Sequence, residues 1–227
     1  MMNAHRPTLL LTGFGPFPNV PANATAVLVP RIAQAAAKAF PGVRIACHIL
    51  PTEWSSGLAR VADLYRELQP AAAIHFGVAG RAKGFEIEAR GRNVCAPTQD
   101  AAGLLPNGPR VSPWGPEFLP STLPAAHIVE RLRRRGIPAI VSRDAGAYLC
   151  NALLYRAQEI ARASPIPARS GFIHLPASLV NERYANRGPL GRCRLDWDEV
   201  VDGGVEAIAA TLSQAAVPTR RLSMCAV

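Results

Sequence analysis

No stretch of the 227 residues approaches the roughly 18 consecutive apolar positions that a membrane helix needs. The amino end offers only Leu9, Leu10 and Leu11 before Thr12-Gly13, so neither a membrane span nor a signal peptide is expected. Cysteine is sparse and odd in number. Cys47, Cys95, Cys150, Cys193 and Cys225 lie at wide, irregular spacings, which speaks against a secreted disulfide framework and for a reducing, cytoplasmic setting. No Cys-x-x-Cys or His-Glu-x-x-His occurs, so no metal site is expected. A phosphate loop ending in Gly-Lys-Ser/Thr is missing, as is the Gly-x-Ser-x-Gly turn of serine hydrolases. Gly13-Phe14-Gly15 opens like a dinucleotide fingerprint, but Pro18 stands where the third glycine belongs. Lysine is nearly absent: of 25 basic residues only Lys38 and Lys83 are lysine, and against 16 acidic residues the net charge is +9. Such an excess fits either an acidic partner or an arginine-rich genome. The interleaved aromatic and basic stripe of single-strand binders is absent, and nucleic acid is not the expected partner.

What is present is material for a core, with 49% apolar and 18% charged residues. At roughly 100 to 200 residues per domain, one domain over 1–227 is expected. Residues 8–13, 43–50, 71–77, 137–142 and 171–175 are short apolar runs of strand type. Helical spacing covers 24–40, 53–68, 125–135, 147–163 and about 197–216. Pro30 predicts a start or kink inside the first helix, and Asp196 is a candidate N-cap for the last. Residues 84–93 read as extended. Residues 96–123 hold six prolines and no period, which predicts a long surface excursion. The alternation of strands and helices predicts a three-layer α/β/α sandwich with a mostly parallel, mixed central sheet.

The segment Ser142-Arg143-Asp144-Ala145-Gly146-Ala147-Tyr148-Leu149-Cys150-Asn151 ends a strand, turns at a glycine and places a cysteine in or near the first turn of a helix. Free N–H groups and the helix dipole favour an anion there, and the same amides suit an acyl-transfer oxyanion. The plainer reading is a small core residue. A thiolate nucleophile needs a base. His5 lies in the amino-terminal arm, His127 on a surface helix, and His48 and His75 within strands. His174 closes a strand near its carboxyl end, where α/β folds gather their sites. An acid to orient the imidazole is available as Glu86 or Glu88, two apart in an extended segment and so on one face.

Leu11-Thr12-Gly13-Phe14-Gly15-Pro16-Phe17, Ala145-Gly146-Ala147-Tyr148-Leu149-Cys150-Asn151 and Ser170-Gly171-Phe172-Ile173-His174-Leu175-Pro176 together resemble pyroglutamyl peptidase I (pyrrolidone-carboxylate peptidase), a family of cytosolic cysteine exopeptidases. The blocks keep the family's order across nearly the whole chain. The resemblance implies a catalytic Glu88, Cys150 and His174. It selects Glu88 because the family's glutamate stands five residues before an asparagine, here Asn93. It implies peptides with N-terminal pyroglutamate as substrates, no cofactor, and a homo-oligomer, dimer or tetramer. It nominates Phe14, Phe17, Thr52, Tyr148 and Leu149 as the lining of the lactam pocket; ordinary core packing is the alternative for each. The same fold and triad acting on another small N-acyl or lactam amide is a second reading. A non-catalytic, pocket-bearing or basic binding protein is a third.

The chain departs from the family in places. Pro16-Phe17-Pro18-Asn19 replaces Pro-Phe-Gly-Gly and should stiffen the loop over the pocket. Ala89 replaces an arginine, and Val78 a common glutamine. Cys95-Ala96-Pro97-Thr98 stands where the family carries Asn-Glu-Ala-Arg, whose arginine is linked to the oxyanion site. Arg81, Lys83, Arg90 and Arg92 are the candidates to replace it. The arginines at 131, 133, 134 and 135, at a helix carboxyl end, and Arg220 and Arg221 read as solvated surface.

Overall fold

The computed structural model describes residues 6–17, 20, 22–165, 167–179 and 195–213. The expectations on His5, Pro18, Asn19, Cys193, Arg220, Arg221 and Cys225, and on the last helix past Ser213, lie outside these residues.

Apolar runs become the strands of a six-stranded sheet: β1 (Thr8–Phe14), β2 (Arg44–Leu50), β3 (Ala72–Ala79), β4 (Phe85–Glu88), β7 (Ala139–Ser142) and β8 (Arg169–Pro176). A short antiparallel ribbon joins β5 (Arg90–Arg92) to β6 (Phe118–Pro120). The sheet order is β2-β1-β3-β8-β4-β7. The first four run parallel; β4 turns against β8, and β7 follows β4 in parallel. Both the layers and the mixed sheet agree with the expectation. The five helices are α1 (Thr25–Ala39), α2 (Trp54–Leu68), α3 (Ala125–Arg134), α4 (Leu149–Ala163) and α5 (Trp197–Ser213). None of the described helices is long and apolar enough to cross a membrane.

Alternation along the strands divides the core. Leu9, Leu11, Ile74, Phe76, Phe85, Ile87, Ile173 and Leu175 face α1, α3 and α5, while Leu10, Ala73 and Phe172 face α2 and α4. Glu86, Glu88 and His174, one residue out of phase with Ile87 and Ile173, therefore belong to the α2/α4 side. Close helix packing needs glycine at two points on α5: a Cβ on Gly204 would come within 2.7 Å of Ile32, and one on Gly203 within 2.6 Å of Phe85. Asp196 caps α5 as expected, taking the Glu199 N–H (2.7 Å) while the Glu199 carboxylate takes the Asp196 N–H (2.9 Å), a reciprocal capping box.

Two expectations change. Helix α1 begins at Thr25, ahead of Pro30, because its start is pinned from outside: Asn23 Oδ1 accepts the Thr25 N–H (3.1 Å) and hydroxyl (2.9 Å), and Thr25 Oγ1 accepts the Phe14 N–H (3.0 Å). The missing Pro30 N–H costs the second turn one bond without ending the helix. Residues 96–123 form the surface excursion expected, tied down at single points. Buried Asp100 accepts N–H groups from Trp54, Ala102 and Leu104 (each 2.9 Å), and so caps α2 from 46 positions away. Against the cost of burial, those backbone bonds hold its carboxyl below the usual range. The α3 arginines are not all solvated surface: Arg131 and Arg135 both pair with Glu206 of α5, which is nearly buried.

Candidate active site

The chain turns from β7 into α4 through Gly146, whose φ of +80° favours glycine; its N–H donates to Asp144 Oδ1 (3.1 Å). Tyr148 is the N-cap, and its side chain makes no capping hydrogen bond. The N–H groups of the first turn thus have no helical acceptor, and Cys150, half-buried and a free thiol, is the second residue of the helix. Asn151, next in line, is fully buried and ties α4 to β5: it accepts the Arg92 N–H (2.8 Å) and donates to the carbonyls of Arg92 (2.9 Å) and Val94 (3.0 Å).

His174 stands two residues before the end of β8 and is nearly buried. Its Nδ1 lies 2.7 Å from Oε1 of the fully buried Glu88, and the Cys150 thiol shares a cavity with the same ring and acts on it electrostatically. Burial works to lower the imidazole pKa, but the charge of Cys150 and the hydrogen bond and charge of Glu88 outweigh it, pushing the group up to about 10. Glu88 Oε2 has no hydrogen-bond partner among the described residues. The three side chains named from the sequence therefore meet, in the order carboxylate, imidazole, thiol.

Cys150 and His174 open onto a cavity of about 420 Å³. Phe14, Phe17, Thr52, Tyr148 and Leu149 all line it. Phe17 and Trp54 flank the Tyr148 ring, at centroid distances of 6.1 and 5.2 Å, and Tyr148 donates to the Gln99 carbonyl (3.1 Å). Thr52 donates to the Gly15 carbonyl (2.8 Å), which also accepts from Asn23 (3.0 Å), so the loop that carries Phe17 is held at Gly15 by two donors. Val78, in place of a glutamine, is also in the wall.

Of the four cations flanking the glutamate, Arg81 lines the cavity. Arg90 stacks on Phe118 at 4.2 Å and donates to the Arg143 carbonyl, and Arg92 faces Asp144 at 3.8 Å. His75 is structural: it is buried between Thr12 Oγ1 (2.8 Å) and the Tyr65 hydroxyl (3.2 Å), and burial lowers it to about 3. One residue of the site went unnoticed in the sequence. Gly77, in register with His174 on β3, leaves room for the thiol: a Cβ there would lie 2.9 Å from Cys150 Sγ and 2.7 Å from Phe172 Cζ. An isolated glycine in an apolar strand is a sign of such close approach.

The family model for pyroglutamyl peptidase matches residues 7–214. A pyrrolidone-carboxylate peptidase of Cupriavidus pinatubonensis is 36% identical over 214 residues, covering 91% of this chain and 93% of the relative. Another, of Oceanobacillus iheyensis, is 34% identical over 170 residues, 75% of this chain and 84% of the relative. The crystal structure of pyroglutamyl peptidase I of Bacillus amyloliquefaciens superposes with a TM-score of 0.80 at 27% identity, covering 92% of this chain and 98% of that one. A mutant pyrrolidone carboxyl peptidase of the hyperthermophile Pyrococcus furiosus gives 0.79 at 28%, over 91% and 99%. By sequence along most of its length, and by a fold that follows theirs, the chain belongs to the pyroglutamyl peptidase family.

Proposed function

We propose that the chain is a cysteine exopeptidase, a single domain that removes N-terminal pyroglutamate from peptides through Cys150, His174 and Glu88. The observation that carries this reading is the 2.7 Å contact between Glu88 and His174 on a ring that shares its cavity with the Cys150 thiol. Glu88 holds Nδ1 and leaves Nε2 to accept the thiol proton. The thiolate attacks the pyroglutamyl carbonyl, His174 returns the proton to the departing amine, and a thioester remains. His174 then takes a proton from water, which cleaves the thioester and frees the thiol. The chemistry needs neither metal nor organic cofactor. The flat, uncharged lactam suits the wall of Phe14, Phe17, Tyr148 and Leu149, with Thr52 as a polar point. The first-turn amides of α4 are the oxyanion donors of this scheme, with Arg81 the nearby cation. A cytoplasmic homo-oligomer, dimer or tetramer, belongs to the same proposal and rests on the family likeness.

Turnover of a pyroglutamyl aminocoumarin amide, set beside prolyl and acetyl-alanyl analogues, tests it. Preference for the pyroglutamyl compound by about 100-fold or more in kcat/KM is expected, since groups of the site that pair with the lactam N–H and carbonyl are left unpaired by the analogues. Equal rates on all three would transfer the activity to another small N-acyl amide.

Gly77→Ala places a methyl against both the thiol and the Phe172 ring. The expected result is a loss of roughly 10 to 100-fold in kcat/KM, because a displacement near 1 Å in a nucleophile is enough. Overpacking should also cost about 1–3 kcal/mol of stability. Kinetics together with a denaturant titration check both, and unchanged kinetics would mean that the thiol does not depend on this gap.

A further inference from the structure

Two carboxyl groups, not one, stand beside the imidazole. Glu86 is the cross-strand partner of His174 in the antiparallel pairing of β4 with β8. A carboxylate oxygen of Glu86, one of Glu88 and a ring nitrogen of His174 lie within 4.8 Å of one another. Their surroundings differ: Glu88 is fully buried and bonded to Nδ1, whereas Glu86 is half-buried and lines the cavity. We propose that Glu86 is a positioning residue for the triad, whose carboxylate holds the His174 imidazolium in its charged form and extends to higher pH the range in which the Cys150–His174 pair works.

The inference rests on the triad reading above. An opposite charge within about 4–6 Å favours the charged form of a histidine, and a half-exposed carboxylate supplies it without the full desolvation cost that Glu88 meets. Burial pushes the Glu86 carboxyl above its usual range, His174 draws it back, and Glu88 pushes it up. The mutual effect of Glu86 and His174 is thus attractive. The ionisable groups sharing the cavity with Glu86 are Arg81, Asp144, Tyr148, Cys150 and His174, with Glu88 on the same strand face. On β7 the residue opposite Glu86 is Ile140, which carries no charge. Besides Arg81, His174 is the group of the cavity that becomes cationic, and it lies within 4.8 Å of both carboxyl groups.

The test is an NMR titration of the His174 ring in the full chain, assigned by its loss in His174→Gln, for wild type, Glu86→Gln and Glu86→Asp. In Glu86→Gln the ring is expected to lose its proton about 0.5 to 1 pH unit lower than in wild type. The alkaline limb of kcat/KM for a pyroglutamyl aminocoumarin amide should move with it, and Glu86→Asp should recover at least half the shift. A His174 titration that is the same in all three proteins overturns the inference. Because the ring is read directly, a shifted titration in a protein that turns over no pyroglutamyl substrate upholds the role of Glu86 and overturns the peptidase reading instead.

Discussion

Cys150→Ser is expected to lower turnover of a pyroglutamyl aminocoumarin amide by roughly 10⁴-fold or more while leaving the fold intact. The nucleophile of the proposed mechanism is a thiolate, and a serine hydroxyl at the same place gives up its proton far less readily to the same imidazole. Cys150 is half-buried at the start of α4, and exchanging sulfur for oxygen there removes no large contact, so stability should change by no more than about 1 kcal/mol. Loss of activity with an unchanged melting curve separates a chemical role from a packing one. Alkylation gives an independent readout. Burial pushes the thiols of Cys47 and Cys95 up, so neither competes well for iodoacetamide near neutral pH. Peptide mapping should find the label on Cys150 in step with inactivation. Residual activity near the wild-type level in Cys150→Ser, or full activity after complete labelling of Cys150, would sink the nucleophile assignment.

Much of this site was legible because its pieces are local. A strand ending at a glycine turn, followed by a cysteine at the start of a helix, is written in ten consecutive residues, and the structure has it at Ser142 to Asn151. His174 was legible as the close of an apolar strand. Glu86 and Glu88 could be put on one face by the two-residue period, but not ranked by it. Their difference arises from burial by elements distant in sequence: Glu88 reaches the His174 ring nitrogen, whereas Glu86 borders the cavity. Gly77 escaped for the same reason, since its neighbour Cys150 belongs to another layer of the fold. Residues 96–123 were legible as a surface excursion, but not the points that hold them, because proline breaks periodicity without forbidding order. Their anchors are single side chains such as Asp100 and Asn93, which bind backbone groups and leave no pattern in the sequence.

Glu88→Gln should cost about 10³- to 10⁴-fold in kcat with little change in KM, since Glu88 touches the imidazole and does not line the cavity. An amide can still face Nδ1, but it carries no charge to support the imidazolium, and its NH₂ can bond the wrong tautomer. The loss of charge should also move the alkaline limb of activity to lower pH, because the Glu88 hydrogen bond and charge are among the causes that hold His174 up to about 10. The sign for stability follows from linkage. A histidine raised above its unfolded pKa of about 6.5 contributes stability that is full below that pH and is lost as pH rises through the folded pKa. In wild type this contribution should therefore fade between pH 6.5 and about 10, and in Glu88→Gln it should fade earlier. Below pH 6.5 a second effect opposes the loss. Glu88 is wholly buried, and its Oε2 has no partner among the described residues, so the native carboxylate carries a desolvation cost of about 1–3 kcal/mol or more that a neutral amide escapes in large part. Chemical denaturation near pH 6 should then find Glu88→Gln at least as stable as wild type although nearly inactive. A residue kept for catalysis at the expense of the fold behaves in this way. A variant that is strongly destabilised at pH 6 but keeps a near-normal kcat per folded molecule would make Glu88 a structural anchor and leave the imidazole to be oriented by another group.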